Sequence, residues 1–320
     1  MTEHKPATGT PLLRLAGGML LFILLAALTN VLARRLMLTH NPYFVGFWRF
    51  TLAVPALGLL LRAQGRKILL LPVDRWRFVV LALLVVPGNQ LLFLIAMRYA
   101  PASHAALMYA TTPAWVLLIT LALGVERLRV WKLTGIALAI AGVVIVLMGQ
   151  GFDLGSEVLK GDVILLGAVA TWSVYTAISK PLVERYGPLE ATFLVMAFGG
   201  LLYLPIGIPA AILTDYSTVT LADWGSLIYM GVFTSGMAYF VWFWLVDLLR
   251  PTQVAIVTTA LPPATILLAW LLIGESLTPN FILGGLITLV GIVVAVVGGG
   301  GKHTLRRDRE VMTPVDGRAI

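Results

Sequence analysis

Two segments of this chain, TTPAWVLLITLALGVERLRVWKLTGIALAIAGVVIVL (residues 111–147) and ALPPATILLAWLLIGESLTPNFILGGLITLVGIVVAV (residues 260–296), are versions of one unit. They align without a gap at an offset of 149 positions, which pairs Pro113 with Pro262, Glu126 with Glu275, Gly135 with Gly284 and Gly142 with Gly291. Two apolar sequences align by chance at Leu and Ala, but Pro, Glu and Gly coincidences at one constant offset are much harder to obtain. We therefore interpret the chain as a duplicated unit.

The composition around these segments is that of a membrane protein. Of the 320 residues, 59% are hydrophobic and only 12% are charged, and the mean hydropathy is +0.93. Soluble domains contain about 45–50% apolar and about 25% charged residues, so this chain has too little charge to cover a soluble surface. The absence of cysteine excludes a disulfide scaffold, cysteine-based metal sites, iron–sulfur ligation and thiol catalysis.

Ten stretches are long enough to cross a bilayer, because a spanning helix needs about 20 mostly apolar residues. They cover residues 12–33, 43–62, 76–97, 102–124, 132–149, 161–182, 189–213, 224–247, 253–273 and 281–298. Each copy of the duplicated unit then contains five spans. Since five is odd, the second copy enters the membrane from the opposite side, and a pseudo-two-fold axis in the membrane plane relates the copies.

The positive charges predict the orientation of these spans. The chain carries 23 Lys and Arg against 15 Asp and Glu. With a cytoplasmic N-terminus, eighteen of the cations fall in inner segments and four in outer segments, and Arg49 lies inside a span. Because Lys and Arg accumulate in short cytoplasmic loops, we predict a multi-pass protein of the cell (inner) membrane with both termini cytoplasmic.

Further segments add a family resemblance. FWRFTLA (residues 47–53) is similar to an Arg-bearing second span, GNQLLFLIAMRYAPASHAAL (residues 88–107) to a third-to-fourth connection, and the repeated segments to a Pro-centred span closed by an acid. In these features the chain resembles a ten-span, EamA-type member of the drug/metabolite transporter superfamily. The resemblance implies an all-α membrane protein of ten transmembrane helices in two inverted five-helix repeats. The expected parts are a cytoplasmic N-terminal tail (1–11), the first EamA-like repeat (12–149), the second (150–298) and a cytoplasmic C-terminal tail (299–320).

We expect such a protein to export small metabolites, amino acids or related zwitterionic and amphipathic compounds, by alternating access at a midplane cavity. The alternative is a membrane enzyme acting on lipid or isoprenoid groups, which would need clustered Asp or a His and a carboxylate at one depth. The sequence suggests neither, so we expect no enzyme, no metal and no cofactor. The lipid bilayer and a small-molecule substrate are the expected partners, and nucleic acid is not, because the cations sit in loops of one sidedness. A homo-oligomer is compatible with the sequence.

The polar side chains inside the spans are mostly neutral or aromatic, which suits a small zwitterion held by hydrogen bonds and ring contacts. Hydrogen bonds between helices explain about half of such groups without a ligand. The candidates for the cavity are Asn30, Asn89, Gln90, Tyr109, Trp172, Tyr175, Tyr239, Trp242 and Thr258.

A second set of residues is predicted to shape or gate the pathway. We interpret Arg49 mainly as a structural residue, with a gate or an anchor for a substrate carboxylate as the alternative, and His104 as an interface residue. Glu126 and Glu275 fit helix capping better than proton transfer, while Pro113 and Pro262 mark paired kinks or hinges. No Asp or Glu falls in the middle third of any span, which favours facilitated or substrate-gradient-driven export over tight proton coupling.

Overall fold

The computed structural model describes residues 12–124, 130–148, 156–275 and 278–297, and within these ranges the chain forms helices joined by short turns, with no strand. We number the helical rods α1 to α10. They are α1 (Leu12–Met37), α2 (Pro42–Ala63), α3 (Pro72–Ala96), α4 (Ala102–Ala122), α5 (Val130–Met148), α6 (Glu157–Tyr186), α7 (Pro188–Leu213), α8 (Leu221–Leu248), α9 (Pro251–Ile273) and α10 (Pro279–Val297). A short 3₁₀ turn, Tyr216–Thr218, precedes α8.

Eight of these rods are long and apolar enough to cross a membrane, counted over the residues described above. The other two, α5 and α10, have 19 residues each. A multi-pass membrane fold follows, as the composition predicts.

Local sequence signals set where the rods begin and end. Asn41 caps α2 by accepting a hydrogen bond from the backbone N–H of Tyr43 at 2.9 Å, and the next residue, a proline, needs no donor in the first turn. Ser156 caps α6 in the same way. Gly274 ends α9 with φ = 64°, a left-handed conformation that glycine adopts without strain.

Four rods contain an interruption, and the interruptions occur at corresponding places in the two repeats. The middle of α3 is a π-helix (Leu84–Leu91), and so is the middle of α8 (Tyr229–Ala238). In α4 the helix breaks at Thr111, and in α9 a 3₁₀ segment (Ile256–Ala260) ends at the equivalent position.

The paired prolines lie next to these breaks. Pro113 and Pro262 each stand in the first turn of a restarted helix, Thr112–Ala122 and Leu261–Ile273. In a first turn the missing N–H of proline costs nothing. Each proline therefore marks the start of the second helical segment of its rod.

Helices α5 and α10 approach so closely that a side chain would not fit at Gly142 or Gly291. A Cβ atom on Gly142 would lie 2.5 Å from the carbonyl oxygen of Gly284, and one on Gly291 would lie 2.7 Å from that of Gly135. Exchanging the repeats converts the first contact into the second. Small residues at equivalent positions of the two repeats thus form this contact.

The neighbours of the other rods show the same reciprocity. Each contact has an equivalent when the repeats are exchanged. The contact of α1 with α9 corresponds to that of α6 with α4, α1 with α8 to α6 with α3, and α2 with α8 to α7 with α3, while α2 with α7 corresponds to itself. Helices of the first half of the chain therefore pack between helices of the second half, and the space between the halves is bordered by helices of both.

Candidate functional site

A cavity of about 70 Å³ lies between helices of both repeats. Its lining consists of Phe22, Ala26, Thr29, Asn30, Arg49, Asn89, Gln90, Phe93, Tyr109, Trp172, Thr234, Ala238, Tyr239, Thr258 and Leu261. Seven of the nine residues that the sequence suggests for a cavity are among them, and Tyr175 and Trp242 are not. The structure thus brings together polar residues from six spans and adds Arg49 of α2.

The π-helix of α3 supplies the central hydrogen-bond network. Asn89 Nδ2 donates to the hydroxyl of Tyr109 at 2.6 Å and to the carbonyl oxygen of Ala168 at 2.8 Å. Gln90 Nε2 donates to Asn89 Oδ1 at 2.6 Å and also to the hydroxyl of Tyr239. One pair of amides therefore connects α3 to α4, α6 and α8.

Arg49 is a buried cation on the wall of this cavity. Arg49 is 1% exposed, and its Nε donates a hydrogen bond to Ser235 Oγ at 2.7 Å. The contact exists because α8 has a glycine where α2 crosses it: a Cβ on Gly231 would lie 3.0 Å from the carbonyl oxygen of Arg49. Among the residues that the structure describes, no carboxylate pairs with Arg49, and its Nη1 has no hydrogen-bond partner.

Two other wall residues also have an unused polar atom. Gln90 Oε1, an acceptor, and Trp172 Nε1, a donor, are buried without a partner in the described part of the chain. Buried polar atoms normally find partners, and an unpaired one costs about 1–3 kcal/mol. The cavity wall therefore offers a cationic donor, a neutral donor and an acceptor to a bound molecule.

An aromatic layer adjoins the cavity and includes the two candidates that do not line it. Trp172 stacks on Tyr175 at a ring separation of 5.4 Å and contacts Trp242 at 4.9 Å. Tyr175 in turn stacks on Phe243 at 5.4 Å. The Tyr175 hydroxyl and Trp242 Nε1 are buried without partners among the described residues, so this layer also contains unused polar atoms.

The remaining cavity candidates take part in contacts within or between helices. Asn30 Nδ2 donates to Thr265 Oγ1 at 3.2 Å and so ties α1 to α9. The Thr258 hydroxyl donates to the carbonyl oxygen of Ala255 at 2.7 Å. Both residues line the cavity, although the Asn30 amide nitrogen and the Thr258 hydroxyl already have partners.

The acids of the repeated segment have different outcomes. Glu275, just after α9, accepts hydrogen bonds from the backbone N–H groups of Ala102 and Ser103, both at 3.0 Å, and from the Ser103 hydroxyl. These groups form the first turn of α4, so the carboxylate caps a helix of the other repeat. Glu126 lies outside the described residues.

The expectation that no His and carboxylate share one depth is wrong. His104 Nδ1 lies 3.0 Å from both carboxylate oxygens of Asp162, and both residues are buried. The sequence did not reveal this pair because 58 positions separate its members and the approach of α4 to α6 alone brings them together. Asp162 was the only available signal, as an acid near the start of an apolar span. Neither residue lines the cavity.

Comparison with known proteins identifies the fold and a family. Residues 15–148 and 159–297 each match the EamA-like transporter family. One solved structure covers 93% of this chain and 99% of its own chain with a TM-score of 0.65 at 20% identity, which indicates a shared fold.

Several curated proteins are similar in sequence over most of their length. An uncharacterized transporter of Archaeoglobus fulgidus is 27% identical over 79% of this chain and 86% of its own. The uncharacterized transporter YetK of Bacillus subtilis is 26% identical over 90% of this chain and 92% of its own. A protein of Streptantibioticus cattleyicolor named a probable terminal-alkyne amino-acid exporter is 28% identical over 68% of this chain and 69% of its own.

Proposed function

Because the chain belongs to the EamA-like transporter family, we propose that it exports small zwitterionic metabolites, amino acids first among them, by alternating access at the Arg49 cavity. The observation that carries this proposal is the set of unused polar atoms among the residues that line the cavity. Arg49 Nη1 is an unpaired cationic donor and Gln90 Oε1 an unpaired acceptor, counted over the described residues.

An amino acid matches this pair of groups. Its carboxylate is the natural partner of a guanidinium, which binds carboxylates in a fork geometry. Its ammonium donates to amide oxygens such as that of Gln90. The surrounding wall of Phe22, Phe93 and Trp172 suits an apolar or aromatic side chain. The carboxylate of a bound zwitterion would pair with the buried charge of Arg49, and the net charge of the site would not change.

The small volume of the cavity supports alternating access. Sites that bury small molecules usually measure about 300–1,000 Å³, whereas this one measures about 70 Å³. Substrate then enters in a different arrangement of the helices. Paired helix breaks in α3 and α8 and in α4 and α9, next to the cavity wall, are suited to such a movement.

The proposed topology has ten spans, with α5 and α10 crossing beside the other eight and both termini in the cytoplasm. The excess of cations in the segments then assigned to the cytoplasm supports this orientation. Bacterial relatives named transporters support a place in the inner membrane. The relative named an amino-acid exporter supports both the substrate class and the outward direction.

A metabolite panel tests the proposal. Cells with and without the chain would be compared for intracellular and released amino acids and related metabolites, and the comparison repeated with Asn89→Ala and Trp172→Ala. Trp76→Ala is the matched control for the second variant, because Trp76 is 62% exposed and lies outside the cavity. We expect cells with the parent chain or the Trp76 variant to release a zwitterionic compound faster than cells without the chain or with either cavity variant. The proposal is wrong if no such compound responds, or if both cavity variants release it as fast as the parent.

A further inference from the structure

We infer that His104 and Asp162 form a proton-binding site, distinct from the substrate cavity, whose occupancy shifts the transporter between its conformations. The inference rests on the proposed transport function and adds an ion to it. The pair joins α4 of the first repeat to α6 of the second. Any movement of the repeats against each other therefore changes its surroundings.

The site is enclosed by close contacts on two sides. His104 stacks on the ring of Phe281 in α10 at 5.2 Å. On the other side, α6 packs closely against the turn before α4. A Cβ on Gly161 would lie 2.7 Å from the backbone nitrogen of Ala100. Glycine at position 161 thus allows the neighbouring Asp162 to reach the imidazole. Asp162 has no exposed surface in this conformation.

The charged groups that the structure describes near the pair have partners of their own. Glu275, after α9, binds the first turn of α4, and Arg34 of α1 donates to the carbonyl oxygen of Met97 at 2.7 Å. On α6, Lys160 lies over the ring of Tyr99 at 4.3 Å and 3.6 Å from Glu157. Helix α10 has no charged residue. Among the described residues, His104 is the one hydrogen-bond partner of Asp162.

Burial makes the proton count of this pair matter. With one shared proton the pair is an imidazolium and a carboxylate, which has no net charge. When the imidazolium gives its proton to water, a buried carboxylate remains with a neutral partner, and an uncompensated buried charge is strongly unfavourable. Proton release therefore favours a conformation in which water enters between α4 and α6. Proton binding favours the conformation of this structure, in which the pair is buried.

The position of the pair couples it to the cavity. His104 precedes the wall residue Tyr109 by five residues in one helix, which is about 7.5 Å along the axis. A movement that hydrates the pair therefore displaces part of the cavity wall as well.

A second His–Asp contact provides a matched control. His40 Nε2 lies 3.2 Å from Asp223 Oδ2 and also connects the two repeats. Asp223, however, accepts hydrogen bonds from the backbone N–H and the hydroxyl of Thr220, at 3.0 Å and 2.6 Å. Its carboxylate stays satisfied when the histidine is neutral, so this contact needs no proton.

The chain contains no cysteine, so a single introduced thiol can report on the conformation. Ala26→Cys places it on the cavity wall. The full-length protein in sealed vesicles would be labelled with a membrane-impermeant maleimide from each face in turn, across the pH range in which imidazole titrates. The backgrounds are the parent, His104→Gln, Asp162→Asn and His40→Gln. Dividing each rate by that of the Asp162 variant at the same pH cancels the titration of the thiol itself.

We expect the normalised rate in the parent to rise with pH on the face where α4 and α6 begin, by up to about tenfold per pH unit, the limit for one proton. The His104 variant should lose this dependence and the His40 variant should keep it. A pH-independent ratio in the parent, an unchanged dependence in the His104 variant, or an equal loss in the His40 variant would refute the proton site. The labelling uses no substrate, so a failure to find a transported metabolite is a separate result.

Discussion

The guanidinium of Arg49 has a hydrogen-bond donor, Nη1, that is without a partner among the described residues. The sequence identifies Arg49 as the single cation inside a span and favours a structural role, in which a long side chain snorkels to the headgroups or pairs with carbonyls. In the structure Ser235 binds only Nε, and the side chain faces a cavity. The close approach at Gly231 that creates this arrangement involves residues far apart in sequence. We therefore propose a carboxylate anchor.

Replacing Arg49 should lower transport of carboxylate-bearing substrates selectively. Arg49→Gln removes the charge and should reduce the transport rate of L-phenylalanine by about ten- to hundredfold, as expected for a hydrogen bond to a charged group worth about 1.5–3 kcal/mol. Arg49→Lys keeps the charge, so its transport rate should lie between those of Arg49→Gln and the parent. Initial rates in proteoliposomes, scaled to the amount of folded protein, measure both. Equal rates for parent and Arg49→Gln would contradict the anchor.

Much of the cavity wall was predictable residue by residue, since amides and aromatic groups stand out in apolar spans. Tyr175 and Trp242 are the instructive exceptions. Each lies three residues after a wall residue, Trp172 and Tyr239, and so about one helical turn further along. The sequence shows that they share a face with the wall, but the depth of the cavity depends on how the helices assemble. The His104–Asp162 pair was missed for the same reason.

At the scale of helices, proline and glycine were the informative residues. Pro113 and Pro262 predict breaks, and α4 and α9 are interrupted at those places. The π-helices of α3 and α8 were not predicted, although Pro87 falls in the first of them. The second contains no proline, so local propensity does not explain why both rods widen there. Packing against the opposite repeat is the common factor.

The contact between α5 and α10 should depend on its glycines. In Gly142→Ala the new methyl group would meet the backbone nitrogen of Thr288 at 2.4 Å, and such overpacking costs about 1–3 kcal/mol. Gly17→Ala is the control, because nothing lies within 4 Å of a Cβ there. The unfolding temperature in detergent, measured by size-exclusion chromatography after heating, should fall for Gly142→Ala and not for Gly17→Ala. A Gly142 variant as stable as the control would show that the helices do not meet this closely.

For the molecule as a whole, two acids occupy equivalent positions in the two repeats. Asp74 and Asp223 are 149 positions apart, the offset of the repeated segment. Asp74, at the start of α3, accepts hydrogen bonds from Arg185 Nη1 at 2.7 Å and the Tyr186 hydroxyl at 2.9 Å, at the end of α6. Asp223, at the start of α8, meets His40 after the end of α1. Equivalent contacts thus close opposite ends of the helical bundle in the proposed topology.

The duplication was predictable because the repeated segment has identical spacing in both copies. The reciprocal contacts of Asp74 and Asp223 were not, since their partners, Arg185 and His40, differ in type and do not align as a motif. Composition and spacing therefore indicated the architecture, while the pairing of polar groups across the repeats required the assembled structure.

Loop accessibility tests the proposed orientation. A reporter inserted after Arg66, between α2 and α3, should be cytoplasmic, and one inserted after Asp215, between α7 and α8, should lie outside. A periplasmic reporter after Arg66 would overturn the topology. So would a cytoplasmic one after Asp215.

The central claim is that the Arg49 cavity recognises both ends of a zwitterion, and substrate exchange tests it most directly. Proteoliposomes containing the purified chain and labelled L-phenylalanine would be diluted into buffer with unlabelled L-phenylalanine, phenethylamine or phenylacetate. We predict that the amino acid accelerates release of the label, while the amine, which lacks the carboxylate, and the acid, which lacks the ammonium, do not. Equal acceleration by the amine or the acid, or none by the amino acid, would contradict the claim.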